Sequence, residues 1–169
     1  MLYDPESLTV REVRAYMAKA IEKGERCPCC DQYAKIYRRK LGASMARAII
    51  DMYIAGRTSW VHAPTVCKNG NHDEAKLRYW GLTEEDDNAG GERGGRSGYW
   101  RVTARGEQFV LGRTTVPRYA RIYLGRLMSL EGAEIPIAVA LGDASAYTRL
   151  MSVVPSLGED EEEKETHDE

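Results

Sequence analysis

The sequence predicts a small α+β protein. Apolar residues recur at helical spacing in two segments of the first third, and short extended segments bounded by glycine follow them. The composition agrees: 43% hydrophobic and 30% charged over 169 residues suits one well-buried core, or one core with a small appendage.

Taken in order, Thr9 and Glu12 stand at capping-box spacing, and Val13, Tyr16, Met17, Ala20 and Ile21 fall on one face behind them. A first helix is expected from about Val10 to Lys23, stopped by Gly24. The cluster Cys27-Pro28-Cys29-Cys30 comes next, then the basic stretch from Lys35 to Lys40. Met45, Ala48, Ile49, Met52 and Tyr53 predict a second helix over Ala43–Ala55. Ser59–His62 reads as extended, and Pro64 argues against helix immediately before it. Asn71 is placed to cap a third helix reaching Trp80, with Gly81 as its stop. A polar, glycine-rich loop covers Glu84–Gly98. Tyr99–Val102 then reads as a strand, and Thr103 as the cap of a helix to about Val110. Residues 113–157 read as a β-rich appendage, with a turn at Glu131-Gly132 and a last helix capped by Asp143.

The resulting division is an N-terminal helix with a Cys-rich knuckle over 1–41, a central domain over 42–112, the appendage over 113–157 and an acidic tail over 158–169. The central order, helix, short strand, helix, strand, loop, strand, helix, is that of a winged helix-turn-helix. Leu77-x-x-x-Gly81-Leu82 and Trp100-Arg101-Val102-Thr103-x-x-Gly106-x-x-Phe109 sharpen it. Together these motifs resemble winged-helix regulators of the MarR and PadR type, over about seventy residues. The resemblance implies DNA binding, with the helix ending at Trp80 in the recognition position and His72, Lys76 and Arg78 facing the major groove. It makes the glycine-rich loop the wing, with Arg93 and Arg96 near phosphate or the minor groove. Lys35, Arg38, Arg39 and Lys40 would add phosphate contacts, which raise affinity without choosing a sequence. The chain also resembles phage and prophage proteins that share C-P-C-C-x-Q, Y-R-R-K, K-L-R-Y-W-G-L and G-Y-W-R-[IV]-T. Here these are Cys27–Gln32, Tyr37–Lys40, Lys76–Leu82 and Gly98–Thr103. That resemblance implies a phage or mobile-element origin and no particular activity.

The cysteines point to metal. Cys27 and Cys30 are spaced as a zinc knuckle, in which two thiolates around a tight turn form one edge of a tetrahedron. Cys67 and His72 are the candidates to complete it, with His62 and Cys29 as alternates. Reduced cysteines packed as small apolar residues are the plainer reading. A thioredoxin-like role is disfavoured because the motif lacks a surrounding βαβ pattern.

Charge is unevenly distributed. Residues 159–169 carry eight acids and one lysine, which leaves residues 1–158 with a net charge of +5. Such a tail is expected to be disordered, and either screens a basic surface or only solubilises the chain. No phosphate-binding loop, nucleophile elbow, secretion signal or membrane-length apolar run appears, so no catalysis and a cytoplasmic location are expected; the alternative to that is a thiol- or metal-dependent enzyme, with Cys67 and His62 or His72 as a nucleophile pair. Tyr119, Arg121 and Tyr123 alternate as a basic strand face, for stacking on single-stranded nucleic acid or as a solvated sheet surface. The functional expectation is a zinc-supported winged-helix protein binding duplex DNA in transcriptional or genome-maintenance control, with homodimerisation left open. The alternative is a protein-interaction module without DNA binding: Asp73 and Glu74 would repel phosphate, and the acidic wing edge, Glu84 to Asp87, together with the acidic tail would dock a host or phage partner.

Overall fold

In a computed structural model the chain is described over residues 8–67, 73–86 and 98–154, and mixes helices with small antiparallel sheets. Helix α1 (Val10–Ala20) begins with the expected reciprocal cap: the Thr9 amide donates to Glu12 Oε2 at 2.9 Å, and the Glu12 amide to Thr9 Oγ1 at 3.4 Å. It stops three residues before Lys23. The chain turns there so that the Ile21 carbonyl can accept from the Ile36 amide at 2.8 Å, and Val13 and Ile21 are buried. Strands β1 (Glu25–Arg26) and β2 (Tyr33–Ala34) form a short hairpin around the cysteine cluster, and β3 (Tyr37–Lys40) carries the basic stretch.

Helix α2 (Ala43–Gly56) is the centre of the core. Ala46, Ile49, Ile50, Met52 and Tyr53 are wholly buried, and each large apolar side chain there contributes about 1.5–3 kcal/mol. After β4 (Val61–His62) comes a single turn, α3 (Ala63–Val66). Pro64 occupies its first turn, where an N–H has no intrahelical partner; Val61–His62 before it is extended as expected, and only Ala63 joins the helix ahead of the proline.

The next helix is the main departure from expectation. Glu74–Trp80 winds as a 3₁₀ helix preceded by Asp73, while Asn71 lies outside the described residues. Three residues per turn stack Glu74, Leu77 and Trp80 in a single buried row. Trp80 Nε1–H donates to the Pro117 carbonyl at 2.7 Å, and Thr83 Oγ1 donates to the Glu74 carbonyl at 3.0 Å. Gly81 ends the helix as expected, in the left-handed region at φ 68°.

Strands β5 (Thr83–Glu85) and β6 (Tyr99–Val102) then join β4 in an antiparallel sheet ordered β4-β6-β5. Helix α4 (Ala104–Val110) follows, its Thr103 cap accepting the Gly106 amide at 3.0 Å while its hydroxyl donates to the Gly81 carbonyl at 2.7 Å. Residues 87–97, most of the expected wing, lie outside the described residues, as does the acidic tail.

The region expected as an appendage is tied into the rest. Strands β7 (Val116–Tyr123) and β8 (Arg126–Ile135) form a long hairpin, and β7 also pairs with β3, giving the order β3-β7-β8. Val116, Ala120, Ile122 and Ile135 belong to the same buried cluster as α2. The hairpin turns at Leu124-Gly125, not at Glu131-Gly132. Glu131-Gly132 instead marks a bulge. The register passes from Tyr119↔Glu131 to Pro117↔Glu134, one extra residue on β8, with Gly132 at φ 91°. Turn and bulge use the same backbone chemistry, so the dipeptide reads alike in both. Helix α5 (Ile137–Leu141) was not anticipated, and α6 (Ala144–Met151) starts at the expected Asp143 cap. Among the described residues no helix is long and apolar enough to cross a membrane.

Candidate functional site

The basic stretch of β3 is split by strand geometry. Tyr37 and Arg39 lie opposite the buried Ile122 and Ala120 of β7, whereas Arg38 and Lys40 lie opposite Arg121 and Tyr119 on the other face. On that other face Arg38 Nε bonds Glu131 Oε1 at 2.6 Å and its guanidinium covers the Tyr119 ring at 3.5 Å. Arg121 is paired with Glu22 and, at 3.9 Å, with Glu131. With Tyr119 covered and Arg121 paired, Tyr119, Arg121 and Tyr123 do not form an open stacking face.

Arg39 borders a groove. A cavity of about 340 Å³ opens between β3, the 3₁₀ helix and the β7–β8 turn, lined by Lys35, Arg39, Lys76 and four tyrosines, Tyr33, Tyr37, Tyr79 and Tyr123. The threefold winding puts Lys76 and Tyr79 there: they occupy the row next to the buried one, while Arg78 turns away to Glu85, 3.5 Å distant. Lys76 and Arg78, expected on one exposed face, are two residues apart on the helix and lie on different edges. Lys76 Nζ is held at 2.6 Å from Asp73 Oδ1. Burial acts to raise the Asp73 carboxyl, but hydrogen bonds from Lys76 and Ser44 and the charges of Lys76 and Arg39 outweigh it, and the group is held below its ordinary range. So the acid that would repel a phosphate is largely neutralised from within. The groove retains positive charge from three cations against one carboxylate.

Tyr33, Tyr37 and Tyr79 were not singled out from the sequence. Their only signal there is proximity to lysine and arginine, and the strand and 3₁₀ periods needed to align them are too short to read. His72, Arg93 and Arg96 lie outside the described residues. Of the acidic edge expected to attract a partner, Glu84 pairs with Arg101 and Glu85 with Arg78, and Asp87 lies outside the described residues.

The turn that carries Cys27, Cys29 and Cys30 is held by its own backbone hydrogen bonds. Within the β1–β2 hairpin the Cys27 amide donates to the Gln32 carbonyl at 3.0 Å and the Asp31 amide to the Cys27 carbonyl at 2.8 Å. The Cys27 sulfur faces the amides of Cys29 and Cys30 and then the Cys30 thiol, which hold it below the usual thiol range. Cys29 and Cys30 are exposed. Cys67 is in the core: its Sγ–H donates to the Ala48 carbonyl of α2 at 3.6 Å, and burial, followed by the charges of Glu74 and Asp51, pushes the thiol up to about 12. His62 Nδ1 is 2.6 Å from Thr65 Oγ1 and its ring packs on Tyr99. Among the described residues no three His, Cys, Asp or Glu side chains are gathered closely enough to hold a metal. Compared with known protein families, curated proteins and solved structures, the chain matches none.

Proposed function

We propose that the chain is a winged-helix protein that docks on duplex DNA, in transcriptional or genome-maintenance control. The order α2, β4, α3, 3₁₀ helix, β5, β6, α4 and the sheet order β4-β6-β5 support the winged-helix reading. The observation that carries the DNA reading is the groove. Lys35 and Arg39 of the basic stretch and Lys76 of the 3₁₀ helix, about forty residues away in sequence, converge beside the helix in the recognition position, together with four tyrosines. Cations grip a phosphate backbone, and tyrosines supply flat apolar surface and hydroxyls for sugar and phosphate oxygens. Docking of a host or phage partner through the acidic wing edge and tail is the second reading; there Glu84 and Glu85 face Arg101 and Arg78, so a partner has to displace those cations.

The test is fluorescence anisotropy of labelled duplex DNA over a salt series, with the full chain and with a Lys35→Gln, Arg39→Gln, Lys76→Gln variant. If all three cations meet phosphates, log affinity against log salt becomes shallower by about 2.7 in the variant. A wild-type chain that binds no duplex at low salt refutes the reading. An unchanged slope in a folded variant removes the groove from it. Truncation at Leu157 tightens binding if the acidic tail competes for the same cations.

Zinc belongs to the same proposal, with Cys27 and Cys30 as one edge of a tetrahedron. Cys67 joins them only by leaving the Ala48 carbonyl and losing its proton. Elemental analysis tests this: stoichiometric zinc that disappears in Cys27→Ser, Cys30→Ser supports the site, and metal-free protein after purification with added zinc overturns it.

A further inference from the structure

The β7–β8 hairpin closes through a two-residue loop, Leu124-Gly125, with Tyr123↔Arg126 as the last pair. Both loop residues have positive φ, 47° and 73°, the combination of a turn that favours Asn, Asp or Gly in its first position. A leucine there works against the backbone preference of its own turn. It is also 77% exposed, the most exposed of the large apolar side chains described, and Leu127 and Met128 beside it are exposed as well. Neither burial nor turn chemistry accounts for the choice.

The position of this side chain does. Leu124 and Gly125 form one rim of the groove that holds Lys35, Arg39 and Lys76. An apolar tip thus stands at the hairpin turn, at the end of the β3-β7-β8 sheet and beside cations and tyrosines. The ligand that matches both features is a polyanion whose apolar faces are stacked just inside its charged backbone, which describes a nucleic-acid duplex. Lys35, Arg39 and Lys76 share one groove with Leu124 at its rim, so a ligand that meets both presents its charge and its apolar surface side by side.

We infer that Leu124 is a wedge: with the phosphate backbone seated in the groove, its side chain enters between two adjacent base pairs and kinks the duplex. This rests on the DNA reading and adds to it a specific distortion of the DNA. Binding energy from the cations offsets the unstacking, and recognition then favours easily unstacked pyrimidine–purine steps.

The experiment uses the full chain at saturating concentration on short duplexes, with 2-aminopurine placed at each position in turn and a donor and acceptor dye at the two ends. The wild type is expected to raise 2-aminopurine emission at one step and to draw the ends together through a bend of about 20–90°. Leu124→Asn suits the positive φ of the loop, so it folds at least as well, which a thermal melt verifies; on saturated duplex it leaves the emission low and the ends apart. Wild-type binding without emission change or bending in any duplex overturns the wedge and leaves the DNA reading standing. Equal bending by Leu124→Asn also overturns it. No duplex binding at all overturns both, and Leu124-dependent binding to phosphatidylserine vesicles in that case assigns the tip to a membrane instead.

Discussion

Gly106→Ala sets helix propensity directly against packing. Gly106 lies in the first turn of α4, where alanine would favour the helix by about 1 kcal/mol. A Cβ built there falls 2.1 Å from the Leu82 carbonyl oxygen and 2.8 Å from Val102 Cγ1. Contacts below 3.0 Å essentially never occur, so the carbonyl must retreat by roughly 0.9 Å. That carbonyl accepts the Thr103 amide at 3.0 Å, at the end of the β5–β6 ladder where Thr83 pairs with Val102. Overpacking of this kind costs about 1–3 kcal/mol, and weakening the hydrogen bond adds about 1 kcal/mol. Packing wins, and the net destabilisation is about 2 kcal/mol. For a chain of this size that lowers Tm by roughly 4–8 °C. Thermal unfolding followed by circular dichroism measures it, with the exposed Gln108→Ala in the same helix as a control expected within about 0.5 kcal/mol of wild type. An unchanged or raised Tm for Gly106→Ala would show that propensity dominates, and refute the close approach of α4 to Leu82.

Further outcomes follow from the same geometry. Trp80→Phe removes the donor to the Pro117 carbonyl and opens a gap between the 3₁₀ helix and β7; an expected loss of about 2–3 kcal/mol is read from urea unfolding, and a loss under about 0.5 kcal/mol contradicts the clamp. In thiol titration of chelator-treated, metal-free protein near neutral pH, Cys27, Cys29 and Cys30 react in the folded state, while Cys67, its thiol pushed to about 12, reacts only after unfolding; four fast thiols would show Cys67 to be accessible. The Asp73 carboxyl is depressed in the folded state, so its stabilisation is complete above its unfolded value near 3.8 and is lost as pH falls through the lower folded value. Asp73→Asn should therefore flatten the stability profile below about pH 4, at a cost of about 1–2 kcal/mol at pH 7; a variant profile parallel to wild type refutes this.

Sequence alone determined the elements whose causes are local. The Thr9–Glu12 box, the Thr103 and Asp143 caps and the Gly81 stop are short-range hydrogen-bonding devices, and each is found where its residues indicate. Helix α2 is legible because its apolar positions repeat over nearly four turns. What lies within reach of a few residues along the chain can be read from the chain.

Tertiary structure decided the rest. The 3₁₀ winding of Glu74–Trp80 is coupled to anchors distant in sequence, notably the Pro117 carbonyl. The identity of Glu131-Gly132 as a bulge depends on register against Tyr119 and Pro117. The joining of the C-terminal hairpin to β3 brings residues about eighty apart into one sheet, and no local pattern encodes that pairing. The candidate groove follows from these same choices. Lys35, Arg39 and Lys76 were visible as basic residues, but only the pairing of β3 with β7 and the packing of the 3₁₀ helix beside that sheet bring them to one surface, apart from Arg38 and Arg78. A charge is a property of the residue, whereas a shared surface is a property of the fold that brings distant segments to one place.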